Sequence, residues 1–598
     1  MVVPRVQAAI ASAFGEEYRG TDPVVRPSQF ADIQINAAMA LAKKVGMPPR
    51  DAAARIVEAL DLDGICTAVE ISGPGFINLT FDGTWIEELL NAESPGAPAA
   101  APAEAQRVVV DYSSPNVAKE MHVGHLRTTV VGDSLVKVFE ALGDTVIRQN
   151  HIGDWGTPFG MLIEHWLEIG EDSPEAALLV DDPSAFYQAA RAKFDASATD
   201  EDGFATRARL RVVALQGGDA ETFAVWQRLV AQSKRYFNAI YAMLGISLTD
   251  DHIAGESSYD AHLAQLCQEL EDRGIARISD GALCTFPAGF TGRDGLPMPL
   301  IIRKSDGGYG YGTTDLATIR YRVRELEANR VLYVVGAPQN MHLRMVMATA
   351  REAGWLPDTV EAVHVQIGNV LGEDGKILKS RSGAPVKLMA LLEEAVERAR
   401  AVIDASRPEL TEEERTVTAR QVGIGAVKYA DLSVGHDTEY VFDFDRMLAL
   451  SGNTGPYVQY AAARIRSILR KAGVLEQHVA GTEAAGFDVS GTDGAGTDSD
   501  GGMPATVIAV VEPAERALAL HLLEYGATLY KVREVLEPHR LCTYLFELAQ
   551  LFTSFYDQCP VLKSEDSVRE SRLALCALVL RRLSEGLDLL GIETPENM

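Results

Sequence analysis

Apolar residues recur at helical spacing near the start of the chain, at Val6, Ile10 and Phe14, and again through ADIQINAAMALAKKVG, residues 31–46. The rhythm then changes. CTAVEISGPGFINLTF carries β-type segments on both sides of Gly73, Pro74 and Gly75, a strong turn signal. Residues 1–92 therefore read as a small α/β domain. The next stretch, ESPGAPAAAPAEAQ (93–106), is rich in Ala and Pro and poor in large apolar residues, which predicts a linker. From Arg107 the chain turns to RVVVDY, a short β-branched run of the kind found in a fully buried parallel strand, followed by a loop and a helical stretch over 124–142.

Similar apolar runs return at VLYVVGA and AVHVQIGNV with helical segments between them, so residues 107–385 predict a doubly wound, Rossmann-type parallel sheet with its ligand at the carboxyl ends of the strands. Beyond residue 386 the strands fade. Tyr457, Tyr460, Ala461, Ile465, Ile468 and Leu469 mark one helix face, flanked by Arg464, Arg466, Arg470 and Lys471. Leu541, Leu545, Leu548, Phe552 and Phe555 repeat at helical intervals, as do Leu573, Cys576, Leu580, Leu583, Leu587 and Leu590. Residues 386–598 thus predict an all-α bundle. A Gly, Asp, Thr and Ser tract at 479–503 interrupts it and is expected to be a disordered surface loop. The fold class is α/β multidomain, and no internal repeat is seen.

Length agrees: 598 residues exceed one core, and at ~100 to 200 residues per domain they predict three or more. No run approaches the ~18 consecutive apolar residues of a membrane helix, and the first residues lack a basic region followed by an apolar one. A cytoplasmic chain with no membrane partner is expected. Its six scattered cysteines lack zinc or redox spacing, so they read as reduced packing residues with no zinc. The net charge of −29 counts against a nucleic-acid partner only at first sight, because local basic stripes decide such binding.

Candidate chemistry begins in DYSSPNVAKEMHVGHLRTT, where His122 and His125 flank Gly124 at the hand-over from strand to helix. A helix start attracts phosphate. Two imidazoles can donate hydrogen bonds to an α-phosphoryl group as it gains charge, the glycine leaves room for an adenine ring, and Lys119 adds a cation one turn upstream. An HxxH pair can also be a surface feature or half of a zinc site, but no Glu completes an HExxH frame. Further on, GEDGKILKSRSGAPVKL gathers Lys376, Lys379 and Arg381 on a Gly-bounded loop that can close over a triphosphate and stabilise leaving pyrophosphate. It lacks the GxxxxGK[ST] spacing of an ordinary phosphate-binding loop.

HVGH resembles the HIGH signature of class I aminoacyl-tRNA synthetases, and KILKS resembles their KMSKS loop in three of five positions. The longer strings VVVDYSSPNVAKEMHVGHLRTTVVGD, NHIGDWGTPFGMLI and GNTGPYVQYAAARIRSILRKAG resemble the arginyl-specific branch, as do SGPGFINLTF and the ending LLGIETPENM. The resemblance implies an amino-terminal domain that contacts the tRNA elbow, a Rossmann-type catalytic domain with insertions, and a helical anticodon-binding domain. It implies ATP-dependent activation of L-arginine and transfer to the terminal adenosine of tRNA(Arg), with Mg2+ accompanying the nucleotide. The ATP-binding set is then His122, Gly124, His125, His342, Lys376 and Lys379, with His122, His125, Lys119 and Lys379 catalytic. Leu378 stands where the loop motif has serine, so Lys119 shares the work of Lys379.

A guanidinium group is a planar, permanently charged fork that wants carboxylates. The family pattern supplies Glu256 in AGESSYD and Asp315 in YGTTDLA, with Tyr311 one turn earlier, and puts Asn116 and Gln339 on the substrate's α-amino and carboxylate end. A monomer is expected. The alternatives are another class I synthetase, which would share the ATP motifs, and a tRNA-binding paralog that has lost catalysis.

Overall fold

The computed structural model describes residues 2–92, 104–117, 119–197, 199–200, 202–305, 307–379, 386–475 and 507–598. The linker expected over 93–106 lies mostly outside the described residues; the 479–503 tract and Arg381 lie wholly outside them. The chain folds into two compact units. One joins residues 1–97 with 468–525 and 548–582; the other joins 98–467 with 526–547 and 583–598.

In the first unit an antiparallel sheet forms from β1 (Val25–Pro27), β2 (Ile33–Ile35), β3 (Cys66–Ser72) and β4 (Phe76–Phe81), in the order β1-β2-β4-β3. Helices Val2–Phe14, Ala37–Val45 and Pro49–Glu58 contribute Val6, Ile10, Leu41 and Ile56 to its core, against Ile77 and Leu79 of β4. The helical reading of 31–46 is corrected at its start. Ile33 and Ile35 alternate about Gln34 and pair with β1 and β4, so sheet pairing takes them, and the helix begins only at Ala37. The turn between β3 and β4 needs Gly75, whose φ is +145° and where a Cβ would stand 2.6 Å from the Pro49 carbonyl oxygen.

The second unit is built on a four-stranded, wholly parallel sheet: β5 (Arg107–Asp111), β6 (Thr145–Gln149), β10 (Arg330–Gly336) and β11 (Glu361–Ile367), in the order β11-β10-β5-β6. Val108, Val109 and Val110 are fully buried, as are Val331, Leu332 and Val334, which is why these strands read as continuous apolar runs. Burying each such side chain contributes about 1.5–3 kcal/mol. From β5 the chain proceeds to β6 on one side and later to β10 and β11 on the other, so strand order reverses between β5 and β10, and the crevice lies at their carboxyl ends. Between β6 and β10 lie helices from Thr157–Ile169 to Ala220–Leu244 and a small antiparallel sheet of β7 (Ala276–Ser279), β8 (Ala282–Thr285) and β9 (Leu300–Arg303), which the sequence pattern did not announce. After β11 helices dominate, beginning with Leu388–Ser406 and Glu412–Leu432. The six cysteines are unpaired, five of them buried.

At the end of β5 the buried Asp111 meets the fully buried Arg322 at 2.8 Å. Burial raises the Asp111 carboxyl, but the Arg322 guanidinium, His151 and the Ser114 hydroxyl together outweigh it and hold the group below its ordinary range. This pair ties helix Tyr311–Arg324 to the strand whose next residues enter the crevice.

Candidate active site

The loop leaving β5 carries Asn116 and reaches His122, which caps helix Val123–Ala141. The cap is reciprocal: the Gly124 N–H donates to His122 Nδ1 at 3.1 Å, and the His122 N–H donates to His125 Nδ1 at 3.1 Å. A backbone N–H can only donate, so both Nδ1 atoms are unprotonated. Each neutral ring then carries its proton on Nε2. The ring centroids are 4.1 Å apart. Burial and Lys119 lower the His122 pKa, while burial, then His122 and Lys119, bring His125 to about 3. The pair therefore offers two fixed, uncharged donors. A Cβ on Gly124 would stand 2.8 Å from the His122 ring, so the glycine first makes room for the imidazole beside it.

Lys119 lies with its ammonium 4.5 Å from the centroid of Tyr187. Lys376 and Lys379 are exposed on a hairpin: Leu371 bridges to Ile377, the Leu378 N–H donates to the Val370 carbonyl at 2.9 Å, and the Gly372 N–H donates to the Lys376 carbonyl at 2.8 Å. The expected loop is thus a β-turn arm up to Leu378. Its far side returns to the imidazole helix, where the Val123 N–H donates to the Val386 carbonyl at 3.0 Å.

The expected guanidinium partners form a second cluster. Asp315, on helix Tyr311–Arg324, accepts from His342 Nε2 at 2.5 Å and lies 3.9 Å from His151 Nε2. The Tyr311 and His342 rings approach edge-on at 4.6 Å, and Tyr311 is 66% exposed, its ring available to a ligand. Glu256 opens a short turn and is pushed up to about 7 by burial, with the Asp315 and Asp154 charges adding to the rise and His151 opposing it. His342, expected beside the nucleotide, stands against Asp315 and Tyr311. Gln339 is exposed in the turn after β10. Asn116 joins the two clusters, because it forms a β-bridge with Gly153, two residues beyond His151.

His151 and Asp154 were missed from the sequence. His151 Nδ1 donates to the Ala254 carbonyl at 2.8 Å, and Asp154 accepts from the Ser257 N–H and hydroxyl at 2.9 and 2.6 Å. A signal did exist, since both follow the carboxyl end of β6 in NHIGDWG, as Asn116 follows β5. Their contacts with residues a hundred positions away carry no local pattern.

One pH effect follows. Below about pH 7 Glu256 takes up a proton and can no longer pair with a guanidinium, so KM for a guanidinium substrate should rise as pH falls through that value, by about tenfold per unit further down. Removing the Asp315 charge, which raises the Glu256 pKa, should move the bend to lower pH. A KM constant across this range would contradict the assignment.

A crevice at a strand-order reversal, with paired neutral imidazoles on one helix start and a lysine hairpin whose continuation at Val386 is hydrogen-bonded to that helix start, defines the catalytic domain of a class I aminoacyl-tRNA synthetase. The family described as tRNA synthetases class I (R), catalytic domain, matches residues 86–444; the DALR anticodon binding domain matches 458–598, and the arginyl tRNA synthetase N terminal domain matches 4–81. The arginine–tRNA ligase of Thermobifida fusca is 63% identical, over 99% of this chain and 98% of that one. The arginyl-tRNA synthetase of Plasmodium falciparum superposes with a TM-score of 0.81 at 28% identity, covering 100% of this chain and 98% of that one. That of Thermus thermophilus has the same fold, with a TM-score of 0.79 at 24% identity over 100% of both chains. The chain belongs to the arginyl-tRNA synthetase family.

Proposed function

We propose that this enzyme activates L-arginine with ATP and charges tRNA(Arg) with it, using the residues assembled above. In the first step the arginine carboxylate attacks the α-phosphorus of ATP; the bond to the β-phosphate oxygen breaks, and arginyl-adenylate and pyrophosphate result. In the second a ribose hydroxyl of the terminal tRNA adenosine attacks the adenylate carbonyl carbon; the bond from that carbon to the phosphate oxygen breaks, AMP leaves, and the hydroxyl proton passes to the departing phosphate or to water. Neither step needs a protein nucleophile, so catalysis rests on positioning and on placing donors where negative charge develops.

The Nε2–H groups of His122 and His125 serve the α-phosphoryl oxygens, and Lys119, Lys376 and Lys379 the leaving pyrophosphate. Glu256, Tyr311 and Asp315 hold the guanidinium, with His342 orienting the Asp315 carboxylate. Asn116 and Gln339 hold the α-amino and carboxylate end. Mg2+ arrives with the nucleotide as part of the substrate; no group of three or more His, Cys, Asp or Glu side chains suited to a metal occurs among the described residues. The reading includes a cytoplasmic monomer, and no helix among the described residues is long and apolar enough to cross a membrane.

The observation that carries the assignment is the nearness of Glu256 and Asp315, two carboxylates in a partly buried cup, joined through Asn116 and Gly153 to the loop that ends in the imidazole pair. Charging of total tRNA should be assayed with each of the twenty amino acids in turn. Arginine alone should give product; esterification of a different amino acid, or of none, refutes the reading.

A further inference from the structure

Helix Val123–Ala141 and the lysine hairpin are far apart in sequence, and both must meet one triphosphate. Residues 433–442 touch both. On one side lies Arg127, two residues after His125. Its Nε donates to Asp431 Oδ1 at 2.5 Å, its Nη1 to the Thr438 carbonyl at 2.7 Å and its Nη2 to the Gly435 carbonyl at 3.2 Å. The guanidinium carbon lies 5.2 Å from the Tyr440 ring centroid, and the Arg127 and Asp431 side chains are 1% and 0% exposed. On the other side His436 Nδ1 donates to the Gln366 carbonyl at 2.8 Å, and the Gly368 N–H donates to the His436 carbonyl at 2.8 Å. Val370 and Leu371 pair in parallel with Tyr440 and Val441, and the Phe442 N–H donates to the Leu371 carbonyl at 2.9 Å. Leu371 is the residue that bridges to Ile377, next to Lys376.

We infer that residues 433–442 form a strut between the two nucleotide motifs, and that Arg127 is the positioning residue that sets the lysine hairpin against the imidazole pair. The hairpin's far end is tied to the same helix start, by the Val123 N–H to Val386 and by the Leu388 N–H to the Met121 carbonyl at 2.9 Å. Both anchors of the lysine arm thus refer to one helix, and Arg127 supplies the anchor that is a side chain. A planar fork can satisfy three acceptors in different directions at once; an ammonium on a flexible stem cannot hold the same three in register. The fit on the strand side is close, since a Cβ on Gly368 would lie 2.8 Å from the Asp437 carbonyl oxygen.

The test uses the full chain and single-turnover charging, with enzyme in excess over labelled arginine and with saturating ATP and tRNA. With arginine limiting, the enzyme concentration is raised until the rate constant levels off; that plateau reports the chemistry of folded molecules, and a loss of folded protein only moves the concentration at which it is reached. Arg127→Lys keeps the charge beside Asp431 but loses the fork, and should slow the rate constant by about a hundredfold, as expected for a misplacement near 1 Å, while KM for arginine stays within about twofold. Gly368→Ala pushes on the same strut from the other side and should slow it by about tenfold, again without a change in arginine KM. If Arg127→Lys reaches the parent plateau rate constant, at whatever enzyme concentration, the inference falls. Should Arg127→Lys fail to fold, a parent-like rate in Gly368→Ala overturns it equally.

Discussion

Replacing Asp315 by asparagine should weaken arginine binding by at least about 2 kcal/mol, a rise of roughly thirtyfold in KM for arginine, while KM for ATP stays near the parent value. The range for removing one partner of a buried charge pair runs from about 2 to 5 kcal/mol. The Asp315 side chain is 18% exposed, so water screens part of the loss and the lower end applies. Asparagine is the informative substitution because its carbonyl oxygen can still accept the hydrogen bond that His342 Nε2 gives to the aspartate. His342 and Tyr311 then keep their places, and the effect isolates the negative charge. Steady-state charging at varied arginine and fixed saturating ATP measures it. An unchanged arginine KM would remove Asp315 from the guanidinium site, whatever the fate of the imidazole pair.

The second large effect belongs to His125. Its loss should lower kcat by about a hundred- to a thousandfold, the range for removing one fixed donor to a developing negative charge, with little change in either KM. Alanine alone confounds two roles, because His125 Nδ1 also accepts the His122 N–H and so closes the helix cap. Asparagine separates them: its oxygen can accept that N–H, but its amide does not reach where Nε2 lies. His125→Asn should melt close to the parent and still show the fall in kcat; parent-like turnover would strike His125 from the reacting groups.

Proton linkage gives an independent check. With a folded pKa near 3 against an ordinary 6.5, the folded state binds fewer protons than the unfolded chain between those values. His125 therefore contributes stability that is complete above about pH 6.5 and declines as the pH is lowered beneath it. The parent should lose more stability than His125→Asn between neutral and mildly acidic pH.

Several features were legible because they depend on neighbours in sequence. β5 and β10 are buried on both faces, so their residues are apolar without alternation, and Gly73-Pro74-Gly75 marks a turn that only such residues make readily. The spacing of His122, Gly124 and His125 is itself the geometry of a helix cap, so the pairing of the imidazoles is local. Ile33 to Ile35 shows the limit of this reading: three residues beside a helical pattern became a strand because β1 and β4 offered hydrogen-bond partners, which no window of the sequence contains.

The amino-acid sequence by itself determined the buried parallel strands β5, β10 and β11, the position of the nucleotide motifs at a strand-to-helix turn, and, through the family resemblance, which acids are proposed to face arginine. Tertiary structure alone decided the protonation pattern and the company of those groups. The proton on each Nε2 follows from backbone donors aimed at Nδ1; the raised pKa of Glu256 follows from burial beside Asp315 and Asp154; the clasp of Arg127 on Asp431, Gly435 and Thr438 joins residues some three hundred positions apart. The physical reason is one of range. Periodicity and capping act over a few residues, whereas desolvation and Coulomb interactions depend on what the completed fold brings within a few ångströms.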